Sequence, residues 1–543
     1  MRRRILALLA LGCYLLLPAS CENGRKGEPL PGRGPGKPAY GDTMVEGTIG
    51  EPSNLIPLLA SDGASHEVAG LVYNGLVKYD KDLNLTGDLA ESWEVSPDGL
   101  IMTFRLRRGV KWHDGAEFTS RDVLYTYRVA IDPKTPTAYA EDFKQVAKVE
   151  TPDPYTFRAI YTRPFAPALP SWGMSILPAH LLEGKDITRS PLARHPVGTG
   201  PYRFKEWVAG QKLVLESFRD YFEGRPRIDR YVFRFIPDLS TMYMELKAGG
   251  IDMMGLTPVQ YRRQTDTAEF LSRFNKYRYP ASTYVYLGYN LKNPLFADKR
   301  VRQALTSAID KDEIIQGALL GMGQVAHGPY KPGTWAYNPH VRDFPYNPEK
   351  ARALLAEAGW KSRDADGILV KDGKPFRFTI LTNQGNDQRL KTALIIQKRL
   401  RAVGIDVRIR VLEWASFINH FIDKRNFEAV ILGWTITPDP DQFDIWSSTK
   451  TGFKELNFIG FRNAEVDALL EKGRRTFDLR ERRDCYYRIQ EILAEEQPYT
   501  FLYVPDALPA VSARFRGIAP APAGISYNFI HWYVPKEEQV YSP

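Results

Sequence analysis

The chain has 543 residues, 43% of them hydrophobic and 25% charged, the composition of an ordinary soluble protein. That is too long for one core, which rarely grows past about 250–300 residues, so two or more domains are expected. Net charge is +9, falling to +6 if Arg2, Arg3 and Arg4 leave with a cleaved leader; with no concentrated basic stripe, a nucleic-acid partner is not expected. The 29 Tyr, 27 Phe and 10 Trp fit either large cores or an aromatic-lined cleft, and composition does not separate these.

In chain order, Arg2–Arg4 and the apolar run 5–17 read as the charged and apolar regions of a signal peptide. The run is too short to span a bilayer, which needs about 20 residues. Ala19 and Ser20 then precede Cys21, which is expected to carry lipid; the alternative is an ordinary signal peptide cut nearby. Residues 22–42, rich in Gly, Pro and charge, read as a tether. Cys13 leaves with the leader, so only Cys485 remains and no disulfide is expected.

From residue 43 strands and helices alternate. A strand is predicted over 44–49 and a helix over 66–79 running into a turn. In residues 88–115, Leu100, Met102, Phe104 and Leu106 alternate with Ile101, Thr103, Arg105 and Arg107, a period of two that predicts a strand between turns at 97–99 and 113–115. A helix follows over 120–130, with Ser120 or Thr119 as N-cap and Asp122 in its first turn. Strands are predicted over 156–161, 202–218 (broken at Gly210), 231–236 and 251–254. A helix over 239–248 stops at Gly249. Boundaries fall in the Pro/Gly cluster 191–201 and near Pro280. The second half repeats the alternation: strands over 284–290, 376–381, 407–411, 429–433 and 499–503, and helices over 299–309, 348–358, 388–403, 414–423, 465–477 and 481–497. Arg474, Arg475, Arg482 and Arg483 are read as a solvated helical face. The βα pattern predicts α/β lobes with mixed sheets, whose ligands bind at the carboxyl ends of strands.

Catalytic motifs are missing. The chain has no G-x-S-x-G and no G-x-x-x-x-G-K-[ST], and His66-Glu67 lacks the second histidine of a metalloprotease helix. No Cys and His pairing has metal-ligand spacing. The eight histidines are scattered.

Seven sequence blocks, in order across roughly residues 43–535, carry a family resemblance. They are EPSNLIP at 51–57, VYNGL at 72–76, residues 88–115 ending in KWHDG, VGTGPY at 197–202, LGYN at 287–290 with FADKRVRQAL at 296–305, YNPEKA at 346–351 with LLAEAG at 354–359, and GW at 433–434 with DPD at 439–441. The chain thereby resembles the family 5 extracellular solute-binding proteins, peptide-binding components of bacterial ABC importers. The resemblance implies the two-lobed periplasmic-binding-protein fold of type II, with an extra inserted domain and a hinge of two crossing segments. Residues 43–75, 191–279 and 496–543 would form lobe one, 76–190 its inserted domain, and 280–495 lobe two.

It further implies capture of a peptide or similar oligomeric solute between the lobes, and delivery to permease subunits by a monomer lipid-anchored at the extracytoplasmic face of the cell envelope. Neither catalysis nor a cofactor is implied. Peptide-binding members place an Asp three residues after the Trp of the GW block, against the ligand's α-ammonium; here that residue is Thr437, with Asp439 or Asp441 as substitutes if the loop is shifted. Dipeptide binders also carry an Arg in the loop matching 382–387, where this chain has no cation. A longer peptide, a modified peptide or a non-peptide such as an oligosaccharide is therefore expected. A secreted hydrolase and a ligand sensor are the alternatives outside the transport class. Trp434, at a strand end, is the leading ligand-contact candidate. Tyr73, Tyr289, Asn290, Trp414, Gln384 and Asn386 follow, each with packing or capping as the alternative.

Overall fold

The computed structural model describes residues 36–341 and 343–541. The expected leader, Cys21 and most of the tether lie outside the described residues. Two large mixed sheets organise the rest. In the first, Thr43–Thr48 lies parallel to Arg230–Phe235 and, on its other side, to Met253–Gly255. The hairpin Tyr202–Val208 and Lys212–Ser217 extends one edge, and Pro509–Ser512 followed by Phe274–Lys276 extends the other. Tyr231, Phe233 and Phe235 point into one core, while Val232, on the opposite face, packs against a second with Met242 and Leu246, the period-two alternation of a strand.

The second sheet has the order Tyr279–Pro280, Tyr499–Ala507, Thr283–Tyr289, Ala429–Thr435, Arg377–Asn383, Asp406–Leu412, with Gly323–Val325 beside Tyr499–Ala507. Thr283–Tyr289 is covered on both faces, so it reads as a continuous apolar and aromatic run. Val285, Leu287 and Tyr289 pack in a core with the helices Lys299–Ala308 and Asp387–Ala402. Tyr284 and Tyr286 pack on the opposite face with Trp446, Tyr499 and Phe501.

Two segments carry the chain between the sheets, one between Lys276 and Thr283, the other between Ala507 and Pro509. They run side by side, Tyr279 opposite Ala507 and Pro280 opposite Asp506. This is the expected hinge, with one correction. The resemblance implies lobe one for residues 496–543, yet Tyr499–Ala507 hydrogen-bonds inside the second sheet, so the return crossing comes at Leu508 and not at residue 496. Arg514 then ties the returning chain to its start, bonding Asp42, Asp252 and the Thr43 carbonyl.

Between Gly75 and residue 190 lies a four-stranded antiparallel sheet, Ala90–Val95, Ile101–Leu106, Thr156–Tyr161, Val146–Asp153. Against it packs the helix Ser120–Ile131, capped reciprocally by Thr119 and Asp122. The helix expected over 66–79 is Gly63–Val72. Tyr73 turns extended, which lets Asn74 reach both oxygens of Asp88 at 3.1 and 3.0 Å, and Val77–Tyr79 becomes a strand.

Three of the family-like blocks meet at one buried junction. Gly198 N–H donates to His113 Nδ1 (3.2 Å), so Nε2 carries the ring proton and donates to the Gly200 carbonyl (3.0 Å). Burial lowers the His113 pKa to about 4, keeping the ring neutral as that geometry requires. Thr199 donates to Asn74 (3.1 Å). A Cβ on Gly198 would sit 1.8 Å from the Val72 carbonyl oxygen. Gly198→Ala is therefore expected to cost at least about 2 kcal/mol of stability, read as a lowered denaturant midpoint, because backbone and not a flexible side chain would have to move.

Candidate functional site

A cavity of about 560 Å³ opens between the two halves of the molecule, within the size range of ligand sites. One wall comes from the first half: Asp62 and His66 around the helix Gly63–Val72, Tyr79, and Tyr139, Asp142 and Ser171 of the inserted segment. The other comes from the second half: Tyr286 and Trp434 on adjacent strands, Trp414 with Ile418, Ile422 and Asp423, Thr437, Asp439, residues 441–445, and residues 454–456 with Phe458.

The sequence candidates divide sharply. Trp434, Thr437, Asp439 and Trp414 line the cavity. Trp434 lies nearly parallel to Tyr286 (centroids 6.5 Å apart), and its Nε1–H donates to Tyr499 Oη at 3.2 Å, leaving the rest of the ring half-buried. Trp414 reaches across the cleft, its Nε1–H donating to Asp62 Oδ1 at 3.2 Å. Thr437 spends its hydroxyl on the Asp439 carbonyl (2.7 Å). The Asp439 carboxylate is held by Arg482 at 3.0 and 3.1 Å, so it is not a free anchor for an ammonium.

The other five sit elsewhere. Tyr289 is fully buried, its hydroxyl bonded to Thr500 (2.7 Å). Asn290 holds the Phe427 carbonyl (2.9 Å), and Tyr73 packs in the first core. Asn386 caps the helix Asp387–Ala402 by accepting from Arg389 N–H (2.9 Å), and Gln384 is exposed beside it. Their loop meets the other half of the molecule directly. Gly385 has φ +80°, and a Cβ there would stand 2.3 Å from the Pro237 carbonyl oxygen. Just past that loop Arg389 turns back to Asn383 Oδ1 (2.9 Å), with no carboxylate partner among the described residues.

The feature sequence reasoning missed is a charge cluster across the cleft. Arg474, expected on a solvated face, is 3% exposed. It bonds Asp441 of its own half (Nε–Oδ2 2.9 Å) and Asp142 of the facing inserted segment, while Ala166 N–H donates to the Arg474 carbonyl at 2.7 Å. Lys450, also buried, bridges Glu141 (2.9 Å) of the inserted segment and Asp444 (3.3 Å). Arg482 is buried too; Arg475 and Arg483 are the solvated pair. No local pattern marks these arginines, since Asp142 lies 332 residues from Arg474 in sequence.

Four carboxylates thus face two cations. Burial, together with repulsion from Asp441 and Asp444 and despite Arg474, raises the Asp142 pKa from 3.8 to about 7. Burial raises Asp444 likewise. Because the folded value lies above the unfolded one, the contribution to stability is complete below about pH 4 and is lost as pH rises through about 7. The midpoint of thermal unfolding is expected to fall between about pH 5.5 and pH 8, and Asp142→Asn to flatten that slope. Among the described residues no group of His, Cys, Asp and Glu is arranged to hold a metal ion, and no helix is long and apolar enough to cross a membrane.

A ligand-sized cavity between two α/β lobes joined by two crossing segments defines a periplasmic-binding-protein fold of the peptide-binding cluster. The model for bacterial extracellular solute-binding proteins, family 5, matches residues 84–455, and the chain belongs to that family. It is 36% identical to the oligopeptide-binding protein AppA of Bacillus subtilis, over 99% of this chain and 100% of that one. It is 29% identical to heme-binding protein A of Haemophilus influenzae, over 96% and 98% of the two chains. The structure of B. subtilis AppA in complex with a nonapeptide superposes with a TM-score of 0.88, covering 92% of this chain and 100% of that one. That of DppA from Helicobacter pylori in complex with the peptide STSA gives 0.83 at 29% identity, covering 92% and 99%.

Proposed function

We propose that this protein captures an oligopeptide between its lobes and delivers it to the permease of an ABC importer, without chemical conversion of the ligand. The observation that carries this reading is the cavity itself. Both halves build it, Trp414 and the Arg474 and Lys450 clusters bridge it, and aromatic faces that tolerate varied side chains line it. Lobe one would comprise residues 43–75, 191–279 and the chain after Leu508, with 76–190 inserted in it; 280–507 would form lobe two. Closure would expel water and strengthen every polar contact to the ligand. Lipidation of Cys21, attachment at the outer face of a membrane and action as a monomer belong to the same proposal.

A free dipeptide is a poor fit. Thr437 and Asp439 are engaged internally, and the loop 384–386 packs against lobe one. Titration calorimetry is expected to show binding of peptides longer than two residues and none of free dipeptides at micromolar concentration. Micromolar dipeptide binding would overturn the length assignment; release of peptide fragments on incubation would overturn the binding-only reading. Mass spectrometry of ligand co-purified from the native host would name the solute.

A further inference from the structure

Nearly every carboxylate around the cavity is already engaged. Asp62 accepts from Ser65 N–H (3.0 Å) and Trp414; Asp142 and Asp441 share Arg474; Asp444 has Lys450; Asp439 has Arg482. Asp423 differs. It follows the wide helical turn Phe417–Ile422, is only 9% exposed, and lines the cavity. Its backbone N–H donates to the Ile418 carbonyl (2.9 Å), but its carboxylate has no hydrogen bond or ion pair among the described residues.

The groups facing that carboxylate are Lys454, which lines the same cavity, and Arg425, which attract it from beyond ion-pair distance, and Asp62, which repels it. Burial outweighs the attraction and raises its pKa. An enclosed carboxylate without a partner is costly, and a cation brought by the ligand removes that cost.

We propose that Asp423 selects for positive charge in the ligand, accepting the ammonium or guanidinium of a lysine or arginine side chain in the bound oligopeptide. The surroundings favour a side chain over a peptide's own N-terminus. Ile418, Ile422 and Trp414 line the cavity beside Asp423, an apolar approach ending in one charge. That matches an aliphatic stem with a cationic tip, whereas an α-ammonium sits on the peptide backbone with no stem to bury. This inference rests on the oligopeptide reading above.

The test uses pentaalanine in which one lysine is moved through the five positions, the same set with norleucine for lysine, and N-acetylated copies of both. Each is titrated by calorimetry into the wild-type protein, Asp423→Asn and Asp423→Glu, with melting curves to confirm that the variants fold. At one position lysine is expected to bind about 30-fold tighter than norleucine, the scale of a desolvated charge pair. Asp423→Asn should erase that preference and leave the norleucine peptide little changed; Asp423→Glu should keep part of it. Equal binding of lysine and norleucine at every position, or a preference surviving in Asp423→Asn, would overturn the proposal. So would a preference that follows the free N-terminus and disappears on acetylation. If none of the peptides binds, the oligopeptide reading itself fails, which is a different result from equal binding.

Discussion

Arg474→Met is expected to weaken peptide binding by about 100-fold above neutral pH, and by less near pH 5.5. The guanidinium is buried and joins Asp441 of lobe two to Asp142 of the inserted segment. Removing one member of a buried pair leaves the others unpaired, at a cost of about 3–5 kcal/mol. Here the carboxylates left behind stand on opposite sides of the cleft, so their repulsion opposes closure specifically. At lower pH Asp142 and Asp444, already biased toward their neutral forms, take up protons and the repulsion fades. Calorimetry at both pH values checks the affinity, and small-angle scattering with peptide present should show a more open particle for the variant. An affinity loss independent of pH would mean that Arg474 supports only lobe two.

Trp434→Ala is expected to cost at least about 30-fold in peptide affinity, the behaviour of a central aromatic contact. Its effect on stability should be smaller than that of Trp446→Ala, since Trp446 is fully buried while Trp434 presents ring surface to the cavity. Part of any stability loss will come from Tyr499, whose hydroxyl accepts from the Trp434 indole. Trp434→Phe separates the two roles: it keeps an aromatic face and removes the N–H. Near wild-type binding by Trp434→Phe with weak binding by Trp434→Ala would place the energy in the ring face. Equal, small losses in both would remove Trp434 from the ligand site.

The secondary structure was legible because local signals and burial agree along most of the chain. The helix Leu239–Ala248 stops where Gly249 takes a left-handed conformation, and Ser120–Ile131 starts at a capping box written in Thr119 and Asp122. The site was half legible. Trp434 and Trp414 were found because strand ends and aromatics bias toward clefts, but Tyr289 and Asn290 share those marks and serve packing and a loop carbonyl. Arg474 and Arg482 were misread because a charge on a helix says nothing about what packs over it from another part of the chain. The same holds for Tyr499–Ala507, a strand buried along its first six residues, whose sheet is decided by partners more than 170 residues earlier. Asp423 carries no pattern at all; only its enclosure without a partner marks it.

That late strand has a consequence for biosynthesis. Tyr499–Ala507 sits between Tyr279–Pro280 and Thr283–Tyr289 in one sheet, and Pro509–Ser512 sits between Met253–Gly255 and Phe274–Lys276 in the other. Neither sheet can be completed until the final tenth of the polypeptide has left the ribosome. Pairings this distant in sequence form slowly. Both sheets therefore stay unfinished through most of translation, and one short segment completes them together.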